Sequence, residues 1–261
     1  MIALVTGASS GIGEATARRL AREPGARLIL VARRENVLNV LASELGDATV
    51  IAADLTHGDV PARIAAIVEA EHGRLDLLVN NAGAAWHGTF EEGGWEGVHR
   101  HMELNFDAQV RLTEALLPLL RRSAPSSIVN VTSTAGRVAR AGSGGYSASK
   151  FALAGWSDSL HLEQAASGVH VGMVLPGFVA TEGFPQRRLV ERALTRWIVS
   201  TPERVAEAIV DAGPGGRAER YVPRPYWLAA TMRVIAPRLV RRALGGGAAG
   251  RLASPARGGA V

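Results

Sequence analysis

The chain has 261 residues, 47% of them hydrophobic and 20% charged, with no cysteine and a formal net charge of +5. This composition excludes a disordered chain, a disulfide scaffold and thiolate chemistry. The length suits one α/β domain with an ample core.

The N-terminus, Met1-Ile-Ala-Leu-Val-Thr-Gly7, enters a predicted strand, Ala3–Thr6, at once. It has no basic n-region and no long apolar run, so no signal peptide is expected and the location expected by default is cytoplasmic. No apolar stretch approaches the roughly 20 residues needed to span a bilayer. Next comes Thr6-Gly7-Ala8-Ser9-Ser10-Gly11-Ile12-Gly13, and then a predicted helix over 11–22. Glycines let the backbone turn sharply and approach a ligand closely, and a helix N-terminus offers free N–H groups to a pyrophosphate. The spacing is G-x-x-x-G-x-G rather than G-x-G-x-x-G, but its place directly after the first strand points to a dinucleotide site.

The second predicted strand, Arg27–Val31, runs into Ala32-Arg33-Arg34. An acid at this point would bind a ribose 2′-hydroxyl, and an arginine accommodates a 2′-phosphate. Ala32 stands where the acid would be, so Arg33 and Arg34 favour NADP(H), with NAD(H) kept open because solvated arginines are common in this Arg-rich chain. Further strands are predicted at Thr49–Ala52, Leu75–Asn80, Ser127–Thr132, His170–Leu175 and Arg220–Val222. Helices are predicted at 35–45, 59–72, 95–121, 145–166, 186–199 and 202–212. Continuous apolar strands alternating with helices imply a doubly wound parallel sheet of Rossmann type.

Of the 29 cationic side chains, 28 are arginine; the single lysine is Lys150, four positions after Tyr146. Side chains at i and i+4 share a helix face. A compact ammonium beside a phenol favours the phenolate, which would fit Tyr146 for general acid–base work.

With these pieces in place, the chain resembles the short-chain dehydrogenase/reductase family, in its compact branch, over about residues 2–181. The matching motifs occur in order: Thr6–Gly13, Asp54-Leu55, Asn80-Asn81-Ala82-Gly83, Asn105, Ser133, Tyr146 with Lys150, and Pro176-Gly177 with Thr181. The resemblance implies that Tyr146 exchanges a proton with a carbonyl or alcohol oxygen. It further implies that Lys150 lowers the Tyr146 pKa and binds the nicotinamide ribose, that Ser133 polarises the substrate oxygen, and that Asn105 anchors a proton-relaying water. Gly7, Ser9, Ser10, Gly11, Ile12 and Gly13 would hold the pyrophosphate, and Asp54 and Leu55 the adenine. Asn81, Ala82 and Gly83 would line the cofactor, and Pro176, Gly177, Val179 and Thr181 would hold the nicotinamide. Trp86, Phe178, Phe184 and Trp197 suggest a largely apolar pocket for a small ketone or secondary alcohol, and no metal is expected.

Residues 182–200 are expected to form a substrate lid, 226–244 a C-terminal helical extension of the domain spanning 1–244, and 245–261 a mobile tail. Residues 217–261 hold nine Arg and one acid, Glu219, a balance of +8 that leaves −3 for residues 1–216. No nucleic-acid motif accompanies this charge, so no nucleic-acid partner is expected. For 226–244, which Pro237 interrupts, the favoured reading is a helix packed over the pocket with a solvated basic face. Peripheral membrane contact and docking of an acidic carrier with a 3-ketoacyl chain are less favoured. The resemblance also implies a homodimer or homotetramer through helices 95–121 and 145–166. A non-catalytic NADP(H)-binding sensor is the alternative from another class; an epimerase or dehydratase fits the length and glycine spacing less well.

Overall fold

A computed structural model of the chain describes residues 1–46, 48–181 and 198–245. Seven strands form one parallel sheet in the order β3-β2-β1-β4-β5-β6-β9. They are β1 Ile2–Thr6, β2 Arg27–Ala32, β3 Ala48–Ala52, β4 Leu77–Asn80, β5 Ser126–Val131, β6 Val169–Pro176 and β9 Glu219–Val222. A separate two-stranded piece pairs β7 Phe178–Val179 with β8 Val199–Ser200. The helices are α1 Gly11–Leu20, α2 Glu35–Leu45, α3 Val60–His72, α4 Phe90–Met102, α5 Ala108–Arg122, α6 Gly144–Gln164, α7 Pro202–Ala212, α8 Tyr226–Ile235 and α9 Pro237–Gly245.

Successive residues of a strand point to opposite faces, and β1 shows how this builds two cores. Ile2 and Leu4 join Ile64 and Val68 of α3 and Leu112 and Leu116 of α5 on one side. Ala3 and Val5 join Ala17 and Leu20 of α1 and Val205 and Ile209 of α7 on the other. Both faces of β1 are therefore covered, and all five of its residues are buried. The order reverses between β1 and β4, which are hydrogen-bonded neighbours. Chain leaving β1 turns toward β2, and chain leaving β4 turns toward β5, so a crevice opens at their carboxyl ends.

Several elements depart from the expected boundaries for identifiable reasons. The strand expected from Leu75 begins at Leu77: the Leu75 N–H donates to Ser123 Oγ at 3.0 Å, while the Asp76 backbone still bridges the neighbouring strands, its N–H donating to the Ile2 carbonyl at 2.9 Å and its carbonyl accepting from the Ser127 N–H at 2.8 Å. The helix expected to begin at 95 begins at Phe90, because Thr89 and Glu92 form a capping box, and it kinks at Gly94 (φ 51°, ψ −149°). The predicted 95–121 helix is not α-helical throughout. Glu103–Asp107 is a π-helical segment between α4 and α5, with Asn105 at its centre. The extra residue in such a turn re-aims its side chains, and these segments recur at functional sites.

The helix expected over 186–199 falls largely on residues 182–197, outside the described residues, but its last residue is corrected: Val199 is in strand β8, where it pairs with Phe178. Within the expected lid, only Ile198–Ser200 are described, and the expected tail beyond Gly245 lies outside the described residues. The expected extension is present as two helices, split at Ala236 (φ −129°, ψ 60°) just before Pro237.

Candidate active site

The crevice at the switch point is one cleft of about 980 Å³. Its first wall is the glycine loop. Gly7 (φ +66°) and Gly11 (φ +57°) take left-handed conformations that favour glycine. Gly13 is required for closeness instead: a Cβ there would lie 2.2 Å from the Gly7 carbonyl oxygen and 2.7 Å from Asn81 Nδ2. Thr6 ties this loop to the one after β4. Its hydroxyl accepts from the Asn81 and Ala82 N–H groups, both at 2.9 Å, and Asn81 Nδ2 donates to the Thr6 carbonyl at 2.8 Å. Ser10, extended at the N-cap of α1, makes no side-chain capping bond, so its hydroxyl and the first-turn N–H groups of α1 can serve an anion.

The two adjacent arginines separate. Arg34 is tied to the glycine loop, donating to the Ser9 carbonyl at 2.8 Å. Arg33 stays 78% exposed, with Asp54 Oδ2 at 3.8 Å as its ion-pair partner. Asp54 closes a local turn, accepting from the N–H and hydroxyl of Thr56 at 3.0 and 2.8 Å. Burial opposes its ionisation, yet these bonds and the Arg33 guanidinium hold its carboxyl below the usual range.

At the opposite end of the cleft lie Ser133, Tyr146 and Lys150. Ser133 follows β5 and caps a short turn: its hydroxyl accepts from the Ala135 N–H at 3.1 Å and donates to the Pro176 carbonyl at 3.3 Å, within hydrogen-bonding reach of the Tyr146 phenol. Lys150 is 4% exposed and donates to the Val131 carbonyl at 2.9 Å. The expectation that Lys150 depresses the Tyr146 pKa is corrected here. Desolvation pushes the phenol up, and the opposing influences are the Ser133 hydrogen bond and the Arg140 guanidinium. The lysine bears the cost of burial itself, and its pKa falls to about 8.

That shift carries a stability prediction. The unfolded lysine titrates near 10.5 and the folded one near 8, so the folded state carries the full cost of a buried ammonium below about pH 8. Stability from this group rises with pH between those values. At about 1.4 kcal/mol per unit the gross cost is on the order of 3 kcal/mol, offset in part by the bond to Val131. Lys150→Met is therefore expected to stabilise the fold by about 1–3 kcal/mol near neutral pH. Urea melts should show that gain shrinking as the pH approaches 10.

Asn105 and Gly13 sit behind the cleft wall rather than in it. Asn105 is fully buried; its Oδ1 accepts from the Ala84 N–H and its Nδ2 donates to the Ala84 carbonyl, both at 2.9 Å, and to Ser149 Oγ at 3.1 Å. It clamps the loop after β4 onto α6. Among the other expected residues, Gly7, Ser9, Ser10, Gly11, Ile12, Arg33, Arg34, Asp54, Leu55, Asn81, Ala82, Gly83, Trp86, Pro176, Gly177, Phe178, Val179 and Thr181 all line the cleft. Phe184 and Trp197 lie outside the described residues. Thr181 packs over Gly11, where a Cβ would meet its Cγ2 at 3.2 Å. The Tyr226 ring rests so closely on Gly177 that a Cβ there would lie 2.2 Å from it.

Three residues of the site were not anticipated. Arg140 lies over the Phe178 ring at 4.8 Å, and its positive charge faces Tyr146 and Tyr226; burial holds its guanidinium below the usual range. His101 is buried between Trp86 (centroids 4.9 Å) and Tyr146 (6.2 Å). One neutral tautomer satisfies its ring: Nδ1–H donates to the Gly97 carbonyl at 2.6 Å, and Nε2 accepts from the Trp86 N–H at 3.0 Å. Arg100 lies over the Trp86 ring at 4.0 Å. The interval Tyr146 minus six does not mark Arg140 in the sequence; only the fold of the 134–143 loop brings it in.

A phosphate-type loop at the switch point of a doubly wound sheet, with a serine, a tyrosine and a lysine at the far end of one cleft, defines a nucleotide-dependent oxidoreductase. The family described as short chain dehydrogenase matches residues 1–191, and the chain belongs to this family. It is 36% identical over 243 residues to the rhamnolipids biosynthesis 3-oxoacyl-[acyl-carrier-protein] reductase of Pseudomonas aeruginosa, covering 88% of this chain and 89% of that one. A short-chain dehydrogenase from Streptomyces avermitilis superposes with a TM-score of 0.78 at 32% identity, over 94% of this chain and 97% of that one. An NADP active-site complex of RhlG from Pseudomonas aeruginosa gives 0.75 at 32% identity, over 84% and 93%.

Proposed function

We propose that the protein is an NADP(H)-dependent oxidoreductase that interconverts a ketone and a secondary alcohol of apolar character. The observation that carries this reading is the placement of Ser133, Tyr146 and Lys150 at one end of a cleft whose other end bears the exposed Arg33. The cleft fits the cofactor by its own construction: three glycines at which a Cβ is strained or would clash, an unengaged Ser10 hydroxyl, and a cation in place of the ribose-binding acid. When bound, NADPH supplies the hydride.

The chain's own residues do the rest. Gly7–Gly13 and the α1 N-terminus bind the pyrophosphate, and Arg33 binds the 2′-phosphate. Asp54 and Leu55 flank the adenine. Asn81, Ala82 and Gly83 line the path to the nicotinamide, which Pro176, Gly177, Val179 and Thr181 hold. Ser133 Oγ holds the substrate oxygen, and the Tyr146 hydroxyl gives that oxygen a proton, or takes one in the reverse direction. A phenol whose pKa burial raises is protonated at neutral pH, which suits the donor role in reduction. Lys150 binds the nicotinamide ribose and replenishes the proton. Asn105 positions the Ala84 turn and, with Ser149, the Lys150 helix; an Asn105-anchored water relay is part of the same proposal.

A 3-ketoacyl chain on a carrier is a second reading, favoured by the name of the P. aeruginosa relative and by the apolar Trp86 and Phe178 in the cleft. Assembly through α4, α5 and α6 into a homodimer or homotetramer is supported by the exposed Phe90, Trp95, Phe151 and Leu162. A cytoplasmic location belongs to the proposal; among the described residues, no helix is long and apolar enough to cross a membrane. The cofactor assignment is tested by the ratio of kcat/KM for NADPH and NADH in the wild type and in Arg33→Asp. The wild type should prefer NADPH, and the substitution should cut that preference by about a hundredfold or more through loss of a charge-assisted phosphate contact and added repulsion. An unchanged ratio would overturn the assignment.

A further inference from the structure

The C-terminal helices meet the cleft at Tyr226, which rests on Gly177, and leave much of their apolar surface open to solvent. No residue of α8 is buried. Leu228, Met232 and Ile235, at i, i+4 and i+7, share a helix face and are all exposed, Ile235 to 73%. Trp227 and Val234 flank them, and Leu239 of α9 continues the apolar surface. Monomeric soluble proteins rarely leave such a contiguous run uncovered. The charge around it is of one sign. Arg224, Arg238, Arg241 and Arg242 are exposed, and the sequence holds no acid after Glu219. Among the described residues none of these four makes an ion pair.

We propose that α8 and α9 form a docking surface for an anionic lipid bilayer. An interfacial helix inserts an apolar face to about 5–10 Å and keeps its cations at the phosphate level. Aromatic side chains such as Trp227 favour that boundary, and clustered arginines are drawn to anionic headgroups. An aqueous protein partner would want hydrogen-bonding groups in the patch, and α8 offers few: the Tyr226 hydroxyl is spent on the Ile198 carbonyl at 3.0 Å, which leaves Thr231 and the Trp227 indole N–H. The surface adjoins the reaction cleft. Tyr226, at the start of α8, rests on Gly177, and Arg140 lines both the cleft and a second cavity of about 230 Å³ beneath Arg233, Val240 and Leu244. Docking would therefore set the cleft beside the membrane, although the docking surface itself does not depend on the reaction proposed for that cleft.

Co-sedimentation of the full chain tests this, using vesicles of phosphatidylcholine alone and of phosphatidylcholine mixed with phosphatidylglycerol. The bound fraction is expected to be about tenfold higher on the anionic vesicles and to fall with added salt. Leu228→Ser/Ile235→Ser should release the protein from those vesicles while its thermal melt is retained, and Arg238→Gln/Arg242→Gln should weaken binding independently. Absence of binding, equal binding to both vesicles, or binding indifferent to both pairs of substitutions would overturn the proposal. So would sedimentation velocity in which Leu228→Ser/Ile235→Ser converts an oligomer to monomer, because a second copy would then cover the face.

Discussion

Tyr146→Phe is expected to lower kcat by about a thousandfold while leaving NADPH affinity within a few-fold of wild type, since positioned proton transfer contributes roughly 10²–10⁴. The substitution removes one hydroxyl and keeps the ring. The ring's edge-to-face neighbour His101 and the walls of the cleft remain in place, so the loss would report the proton and not a collapsed site. Ser133 would still hold the substrate oxygen, and the substrate KM should move little. Stopped-flow or steady-state NADPH oxidation measures the rate; fluorescence titration measures the affinity. A loss smaller than tenfold would mean that another group, with His101 and Arg140 the nearest candidates, supplies the proton.

Gly13→Ala is expected to damage both the fold and the cleft. The added carbon would lie 2.2 Å from the Gly7 carbonyl oxygen and 2.7 Å from Asn81 Nδ2, both parts of a hydrogen-bonded joint between the loops after β1 and β4. The first atom is backbone and the second, a side-chain amide, is held by its bond to the Thr6 carbonyl, so α1 is expected to move away from the sheet. Overpacking of this kind costs about 1–3 kcal/mol and occasionally more, which for a domain of this size lowers Tm by about 2–12 °C. Cofactor affinity should fall by at least about a hundredfold, because the displaced helix end is the proposed pyrophosphate site. Gly93→Ala is the control: a Cβ there meets nothing within 4 Å, and the helix should be unharmed or slightly steadier. Calorimetry and NADPH titration on both proteins decide the matter.

The contrast between these positions also explains what was legible in the sequence. The seven strands of the main sheet were readable because a parallel sheet covered on both faces needs continuous apolar runs, and Ile2–Thr6, Arg27–Ala32 and Val169–Pro176 supply them. The glycine loop and the Tyr146–Lys150 pair were readable because their spacing is local to a strand end or a helix turn, and Ser133 was reached through the family resemblance. What was missed depends on long-range geometry. The π-segment at Glu103–Asp107 has no composition signal, and periodicity runs through it as if it were α-helix. His101 and Arg140 enter the site only because α4 and the 134–143 loop close over Trp86 and Phe178, contacts between residues far apart in the chain.

The direction of the Tyr146 shift was misjudged for a related reason. The i, i+4 spacing promised a cation beside the phenol, but Lys150 Nζ donates instead to the Val131 carbonyl, and desolvation dominates both groups. Arg33 and Arg34 were a matched pair in the sequence, and the structure divides them into one exposed cation and one loop tie. The C-terminal helices were foreseen as elements, but the exposure of their apolar face could not be read from amphipathic patterning alone.

The most direct test of the central claim follows the hydride. NADPH carrying deuterium at the transferable C4 position would be incubated with the wild type and with Tyr146→Phe over a panel of apolar ketones, and the products examined by mass spectrometry. The account predicts an alcohol with one deuterium on the carbinol carbon in the wild type, and none above background in Tyr146→Phe. Tight NADPH binding with no deuterium in any product, and no difference between the two proteins, would contradict it and favour a cofactor-binding sensor instead.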